Sequence, residues 1–313
     1  MVATTPRAAS SGSRSDNRID RRSAQFGWRM MGPALLVVAL VTLVPIAYSV
    51  ALSFTKTSVL GGSIQYEWIG IDNYIAVLSS PRMHRALSFT ALYTALGVSL
   101  QMVLGYGIAL VLDRMARGRP LVLAMLLIPY SMITVIAGHL WSYIFNGVYG
   151  VANYLLMRIG LIPEPVSWLS SPAGAIGVTV FADTWKTLPF VTLILLAGMQ
   201  SFDRSLLEAA RIDGAGFFRT QFSIVVPILS PAIATAMIFR ILQSFGVFDL
   251  PFVLTRGGPG DSTVSVAMLA YNVAFQSLNM GAASTVTAIT TLIVLGISLV
   301  FLRVFRRQVD GDA

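Results

Sequence analysis

Residues 33–54 read PALLVVALVTLVPIAYSVALSF, an apolar run without a single charged side chain. A helix needs about 20 predominantly apolar residues to cross the hydrocarbon core of a bilayer, so this run is long enough to span a membrane. Similar runs follow along the chain at 86–112, 121–145, 173–200, 222–248 and 280–302. The sequence therefore predicts an all-α, polytopic membrane protein with six transmembrane helices.

The composition also favours a membrane protein. Of the 313 residues, 55% are hydrophobic and only 12% are charged, about half of the roughly 25% that is usual in soluble domains. The chain has no cysteine, which excludes disulfides, thiolate metal sites and a cysteine nucleophile. The two histidines, His84 and His139, are too far apart for a usual histidine metal site. We therefore expect no bound metal and no cofactor in this chain, and a membrane-embedded enzyme is a poor alternative.

The positive charges indicate how the chain is oriented. The segment before the first run, the connections between runs two and three and between four and five, and the segment after run six together hold 15 Lys and Arg residues. The other connections hold five, Lys56, Arg82, Arg85, Arg158 and Arg256. The positive-inside rule then predicts cytoplasmic N- and C-termini, and it explains the net charge of +8 without a nucleic-acid partner.

The chain divides into three parts by composition. We expect residues 1–28 to be a disordered, basic cytoplasmic arm, because Ser, Thr and Arg predominate and apolar residues are scattered. A cleaved signal peptide is a weaker interpretation, since the first apolar run begins late and is longer than a signal sequence needs. The transmembrane domain is predicted over 29–308, followed by a short tail at 309–313.

The segment 203–221, between the fourth and fifth runs, differs from a simple turn. It contains the stretch SLLEAARIDG at 205–214, which has small alanines beside charged residues. Leu206, Leu207, Ala210 and Ile212 lie roughly on one helical face. Gly214 is suited to end this helix in a positive-φ turn. The pattern predicts a short amphipathic helix on the cytoplasmic face that another protein can push.

This segment resembles the EAA loop of ABC importer permeases. The resemblance rests on Glu208-Ala-Ala-Arg-Ile-Asp-Gly214 and Ile224-Val-Val-Pro227, with Val226 where the family has Leu. Three further motifs are typical of the carbohydrate-importer branch, namely Trp68-Ile-Gly-Ile-Asp-Asn-Tyr74, Thr255-Arg-Gly-Gly-Pro-Gly260 and Asn279-Met-Gly-Ala-Ala-Ser284. The resemblance covers about residues 35–305 and implies the six-helix permease fold. It also implies an ATPase-coupling helix that carries Glu208, Ala209, Ala210, Asp213 and Gly214.

The resemblance further implies a set of partners. These are a second homologous permease subunit, a dimer of ABC ATPases at the EAA helix, an extracytoplasmic sugar-binding protein, the sugar itself and the lipids of a bacterial plasma (inner) membrane. The chain contains no Gly-x-x-x-x-Gly-Lys-Ser/Thr phosphate loop. ATP and Mg are therefore expected on the partner ATPase, and this chain is expected to hold no catalytic residue.

Three charged residues lie inside the apolar runs. Asp183 and Lys186 are on the fourth run and Arg240 is near the middle of the fifth. Charges at membrane depth are expensive and commonly mark a functional site, although they also serve helix assembly. Asp183 and Lys186 are three residues apart and share one helical face, so we expect them to be able to pair. His139, on the third run, is expected to be structural rather than a proton relay.

Aromatic and hydroxyl side chains accompany these charges. Aromatic faces cover the apolar faces of sugar rings, while polar groups bind their hydroxyls. The sequence is similar to the maltose-type permease, in which sugar contacts come from the spans that match runs three, four and five here. The resemblance keeps Tyr130 and Trp185 and places charged groups where that permease has neutral ones. The predicted substrate-binding residues are Tyr130, Thr134, Asp183, Trp185, Lys186, Thr187, Phe190, Arg240 and Ser244.

These observations predict the permease subunit of an ATP-driven ABC importer that forms half of the pathway for a sugar. A disaccharide such as trehalose or maltose is favoured. A glycerol-3-phosphate permease is the alternative, because Lys186 and Arg240 could bind a phosphate. A third interpretation is an ion-coupled secondary sugar transporter in which Asp183 binds a proton or cation.

Overall fold

The computed structural model describes residues 13–60 and 63–310 of the chain. The chain separates into two compact units, Met1–Leu52 and Ser53–Ala313. The elements of the second unit build the cavity and the surface around Glu208 that are described below.

The first unit consists, over its described residues, of one helix. Helix α1 covers Ser13–Ser53, and its part Met30–Ser53 is long and apolar enough to cross a membrane. Residues 13–28 are therefore helical, which corrects the prediction of a disordered arm over this part. The physical reason is that extending an existing helix costs much less than nucleating one. Residues 1–12, the remainder of the predicted arm, lie outside the described part of the chain.

The second unit is mostly helical. Its long helices are α3 (Pro81–Arg114), α7 (Pro172–Ser201), α11 (Ser230–Phe245) and α14 (Met280–Asp310). The shorter ones are α2 (Asp72–Ser79), α4 (Arg119–Ser131), α5 (Thr134–Ile144), α6 (Val151–Arg158), α8 (Ser205–Ile212), α9 (Phe217–Thr220), α10 (Val226–Ile228), α12 (Asp249–Thr255) and α13 (Val266–Tyr271). A 3₁₀ turn covers Trp168–Ser170, and π-helical turns cover Gln221–Val225 and Asn272–Gln276.

Two of the predicted spans are sharply bent. Helices α4 and α5 meet at 93° across Met132 and Ile133, whose backbones are extended. The helical stretch Phe217–Ile228 meets α11 at 70°. The described helices thus provide four candidate spans, or six when each bent pair is counted as one, which agrees with the six apolar runs. Hydropathy alone did not predict the bends, because it measures apolarity and not backbone direction.

A β-hairpin interrupts the predicted all-helical pattern. Strand β1 (Thr55–Leu60) pairs antiparallel with β2 (Ser63–Trp68), and Thr55 faces Trp68 in the register. Both segments are rich in residues that favour strands, and Gly61-Gly62 stands between them in the sequence. These local signals explain a hairpin in a chain that is predicted to be all-α.

The hairpin is fixed to the start of α14 by close backbone contacts. The side-chain amide of Asn73 donates to the carbonyl oxygens of Ser53 and Thr55, both at 2.9 Å. The backbone N–H of Gly281 donates to Thr57 Oγ1 at 3.0 Å. A Cβ at Gly281 would collide with the carbonyl oxygen of Thr55, so only glycine allows this approach. The motif at 68–74, which contains Asn73, and the motif at 279–284, which contains Gly281, therefore meet beside the hairpin.

The core of the second unit follows the contact between α3 and α7. One of its two large clusters of buried side chains includes Leu112, Val191, Leu195 and Leu229. The burial of these aliphatic side chains holds the helices at fixed positions. In the predicted orientation, this cluster lies in the half of the protein nearer the cytoplasm. The same helices carry the polar groups of the candidate site.

Candidate functional site

A cavity of about 630 Å³ lies between α3, α4, α5, α7, α11 and α12. Seven of the nine predicted substrate-binding residues line it, namely Tyr130, Thr134, Asp183, Lys186, Thr187, Arg240 and Ser244. They come from three different apolar runs, so folding brings together residues up to 114 positions apart (244 − 130). Their binding of a substrate stays a prediction.

An ion pair joins α7 to α11 at the wall of this cavity. Arg240 Nη2 donates to Asp183 Oδ2 at 2.7 Å, and the two side chains are only 3% and 11% exposed. Gln101 on α3 bridges both partners, since its Nε2 donates to Asp183 Oδ2 at 2.9 Å and its Oε1 accepts from Arg240 Nε at 2.7 Å. Buried charges need such partners, because an unpaired charge in a low-dielectric interior is costly.

The guanidinium group of Arg240 is occupied on all three nitrogens. Besides Gln101 and Asp183, it donates from Nη1 to Gln243 Oε1 at 2.7 Å and from Nη2 to Ser244 Oγ at 3.3 Å. An arginine that binds a phosphate presents its paired N–H groups to the ligand. Here those groups are turned toward the protein, so Arg240 serves mainly to connect α3, α7 and α11.

The expected pair of Asp183 with Lys186 is wrong. The carboxylate of Asp183 faces α3 and α11, where Gln101 and Arg240 hold it. The Lys186 ammonium lies instead 5.9 Å from the ring centroid of Tyr130 on α4, a cation–π arrangement. No described carboxylate lies within ion-pair distance of Lys186. Asp183 and Lys186 share a helical face and could have paired. The contacts of Asp183 with the neighbouring helices determine its partner instead.

Two predicted aromatic residues lie beside the cavity and do not line it. Phe190 stacks on Tyr130 with ring centroids 6.1 Å apart and an interplanar angle of 18°. Trp185 packs edge-to-face on Trp141 of α5, with centroids 5.3 Å apart and an angle of 81°. Phe190 therefore supports an aromatic wall, and Trp185 fixes α7 against α5.

Sequence reasoning missed several residues of the cavity region, among them Tyr93, Gln101 and Asp249. Tyr93 and Asp249 line the cavity, while Gln101 lies behind it in the polar network. Tyr93 and Gln101 are eight residues apart, which places them on one face of α3. The available signal was a glutamine in an uncharged apolar run of α3, where a polar side chain needs a partner.

The bend between α4 and α5 places a helix N-terminus at the cavity. Thr134 is the first residue of α5 and lines the cavity, while the preceding Ile133 supplies no side-chain cap. The first N–H groups of a helix have no partner within it. Helix α5 thus begins at a residue of the cavity lining.

The predicted coupling segment forms a separate surface around α8. Helix α8 starts after Asp203, whose Oδ1 accepts from the backbone N–H of Ser205 at 3.0 Å. That hydrogen bond lowers the pKa of the Asp203 carboxyl from its ordinary value. Arg204 pairs with Asp113 at the end of α3 at 3.1 Å. Gly214 follows α8 with φ of +73°, which confirms the predicted positive-φ turn.

The faces of α8 differ in exposure. Ala210 is buried and Leu207 packs on the large buried cluster, whereas Glu208, Ala209, Asp213 and Gly214 are exposed. A groove of about 510 Å³ lies beside the helix and is lined in part by Glu208 and Arg211. Phe217 lines this groove with an exposed ring, and four further apolar side chains of the segment are exposed, namely Leu206, Ile212, Phe218 and Phe222. Such a patch is typical of a surface that another protein covers.

Residues 101–310 match the family described as binding-protein-dependent transport system inner membrane component. The chain belongs to this family. It is therefore a multi-pass inner-membrane permease that is not catalytic and has no cofactor. Membership also argues against an ion-coupled secondary transporter, because transport in this family depends on a binding protein.

The permease has relatives that match nearly its whole length. It is 36% identical over 294 residues to the trehalose/maltose transport system permease protein MalF of Thermococcus litoralis, covering 94% of this chain and 98% of that protein. It is 34% identical over 300 residues to the trehalose transport system permease protein SugA of Mycobacterium tuberculosis, with coverages of 96% and 94%.

The fold of the permease matches a solved structure. That structure is the crystal structure of a bacterial alginate ABC transporter in complex with alginate pentasaccharide-bound periplasmic protein. The TM-score is 0.77 at 21% identity, and the match covers 92% of this chain and 96% of that chain. The likeness confirms the predicted fold of an ABC importer permease.

Proposed function

We propose that this permease forms half of the translocation pathway of an ATP-driven ABC importer for a neutral disaccharide, either trehalose or a maltose-like sugar. The observation that carries this proposal is the charge compensation within the cavity. The names of the two relatives, a trehalose/maltose permease and a trehalose permease, support the same substrate class.

The charges that face the cavity balance each other. Asp183 and Arg240 cancel within one ion pair. Two further charged residues line the cavity, Lys186, which is partly buried, and Asp249, which is exposed. Their charges are opposite in sign and also cancel. Sugar hydroxyls both donate and accept hydrogen bonds, so a neutral sugar can use a lysine donor and a carboxylate acceptor in one site. A cavity without net charge suits such a ligand.

The aromatic wall supports a sugar as well. Tyr130 is 41% exposed, and Phe190 stacks behind it. A pyranose ring has apolar C–H faces that pack on aromatic rings. The wall and the hydroxyl-binding groups lie on the same cavity, which is the combination that a disaccharide requires.

Glycerol-3-phosphate is the second candidate, and Lys186 is the observation that favours it. The Lys186 ammonium has no described carboxylate at ion-pair distance, so it could receive a phosphate oxygen. Arg240 cannot assist without giving up its bonds to Asp183 and Gln101. A single available lysine favours a sugar over a dianionic phosphate ester.

Coupling to ATP is assigned to the surface around α8. We infer that an ABC ATPase dimer covers the exposed residues Glu208, Ala209, Asp213 and Gly214 from the cytoplasm. A second homologous permease completes the pathway, and an extracytoplasmic sugar-binding protein delivers the substrate to the opposite side. With both termini in the cytoplasm, closure of the ATPase would rock the helices around the cavity.

The test is an uptake panel with the complete transporter in a host that lacks other sugar uptake. Labelled trehalose, maltose and glycerol-3-phosphate are supplied separately, with an inactive ATPase subunit as the control. We expect saturable, ATPase-dependent uptake of one disaccharide that excess glycerol-3-phosphate does not inhibit. Uptake of glycerol-3-phosphate without uptake of either disaccharide would overturn the proposal.

A further inference from the structure

The last turns of α3 contact the segment around α8 through two exposed pairs of side chains. Just before α8, Arg204 pairs with Asp113 at 3.1 Å, and the Arg204 side chain is 65% exposed. After α8, the guanidinium carbon of Arg114 lies 5.2 Å from the centroid of the exposed Phe217 ring. Contacts between exposed side chains contribute little to stability, because water competes for the same groups. These two contacts alone therefore hold the segment only weakly.

A third contact between α3 and this segment is short and partly buried. The hydroxyl of Tyr106 donates to Gln221 Oε1 at 2.7 Å. Gln221 is only 6% exposed, and the ring of Tyr106 packs on the buried cluster that contains Leu195. A hydrogen bond in such surroundings is stronger than one in water, and its loss leaves a buried polar atom without a partner. This bond is the firmest of the three contacts.

Gln221 lies where the chain between α8 and the cavity is least regular. It begins the π-helical turn Gln221–Val225, and the helical stretch Phe217–Ile228 then meets α11 at 70°. Such π-helical turns are rare and often occur at functional sites. A displacement of α8 that follows the backbone must pass both irregularities before it reaches Arg240 on α11.

Helix α3 connects the same segment to the cavity without an interruption. Tyr106 and Gln101 both belong to this one helix, Pro81–Arg114, and five residues of an α-helix span about 7.5 Å. Gln101 donates to Asp183 and accepts from Arg240, the ion pair at the cavity wall. A shift of α3 at Tyr106 would therefore also move the amide that bridges this pair.

We propose that Tyr106 is a positioning residue for transport, because its hydrogen bond to Gln221 transmits movement of the α8 segment to α3. Helix α3 then passes the movement to Gln101 and the ion pair at the cavity. Hydrogen bonds between rigid helices are a physical route for such coupling between sites. The proposal rests on the proposed coupling of α8 to an ATPase and is independent of which sugar is carried.

The test compares Tyr106→Phe with Tyr74→Phe in the complete transporter, reconstituted with its binding protein in proteoliposomes. Tyr74, on α2, is the matched control, because its hydroxyl also shares a 2.7 Å hydrogen bond, with Ser53 Oγ. Uptake of labelled trehalose and maltose is measured per ATP hydrolysed, beside Tm. We expect Tyr106→Phe to lower the sugar transported per ATP about 2- to 12-fold, the factor for one lost hydrogen bond. Tyr74→Phe should change Tm similarly and leave this ratio unchanged.

A double variant separates transmission from stability. Tyr106→Phe combined with Gln221→Met removes both polar groups, so this variant should recover the Tm that Tyr106→Phe loses. Its sugar transported per ATP should stay low, because the bond is still absent. Recovery of the ratio together with Tm, a normal ratio in Tyr106→Phe, or failure of the double variant to assemble would give the bond a structural role and overturn the inference. If the unmutated complex shows no sugar-stimulated ATPase activity, the proposed function fails instead.

Discussion

Arg240 and Asp183 form a nearly solvent-free ion pair, with Nη2 2.7 Å from Oδ2, that connects the second half of a broken span to the neighbouring continuous helix. Gln101 bonds to both residues and brings in α3. The two charges that were candidates for substrate binding thus act first on each other. We therefore expect the loss of Asp183 or Arg240 to lower stability, and the loss of cavity residues outside this pair to weaken binding.

Replacing Arg240 by Met should strongly destabilise the complex. The change leaves the Asp183 carboxylate buried without its cation, which costs about 3–5 kcal/mol in comparable buried pairs. The double variant Asp183→Asn with Arg240→Met removes both charges and should recover much of the thermal stability. Thermal unfolding of the purified complex measures both. A double variant no more stable than Arg240→Met would contradict the pairing as the source of stability.

Lys186→Met should behave in the opposite way. Lys186 has no ion-pair partner among the described residues, and Met keeps the length of its apolar stem. We expect unchanged Tm but weaker sugar binding to the purified complex, by about 10- to 150-fold for one lost hydrogen bond to a charged group. A fall in Tm with unchanged affinity would show that Lys186 supports the fold and not the ligand.

Gly214→Val tests the coupling surface. Gly214 has φ of +73°, and a residue with a Cβ pays about 1–2 kcal/mol in this conformation. Valine should therefore distort the turn after α8, so that transport and sugar-stimulated ATPase activity fall together while the protein still inserts. Gly214→Asn is the matched control, because asparagine tolerates a left-handed backbone. Normal coupled hydrolysis in the valine variant would contradict a coupling role for this turn.

The proposed orientation can be tested with single cysteines, since the chain has none of its own. Gln65 on the hairpin and Arg117 between α3 and α4 are both exposed. A cysteine at position 65 should react with a membrane-impermeant thiol reagent in intact cells, and one at position 117 only after lysis. The reverse labelling pattern would place α8 outside the cell and remove it from any ATPase.

Local sequence signals predicted much of this protein. Apolar length located the six runs, and the glycine at position 214 predicted a positive-φ turn. Asp183 and Arg240 were candidates for one site because they are charged residues inside apolar runs, and both line one cavity. In each case, the signal is carried by the residue itself or by its position along a helix.

The features that were missed depend on contacts between distant residues. The partner of Asp183 is 57 positions away in Arg240, and Gln101 is 82 positions away, so spacing along one helix could not identify either. The bend after Ser131 is formed by Met132 and Ile133, two apolar residues that hydropathy cannot distinguish from helical neighbours. The hairpin had a recognisable signal that was masked by its position between membrane spans.

The bend between α4 and α5 places Tyr130 near the end of one helix and Thr134 at the beginning of the next, on the same cavity. A sugar that contacts both side chains would bridge the two helices and restrict the angle between them. Occupancy would then reduce the freedom of this joint even if no helix changed position. The loaded and empty permease would differ in stiffness, which hydrogen exchange at the backbone amides of 130–137 can measure.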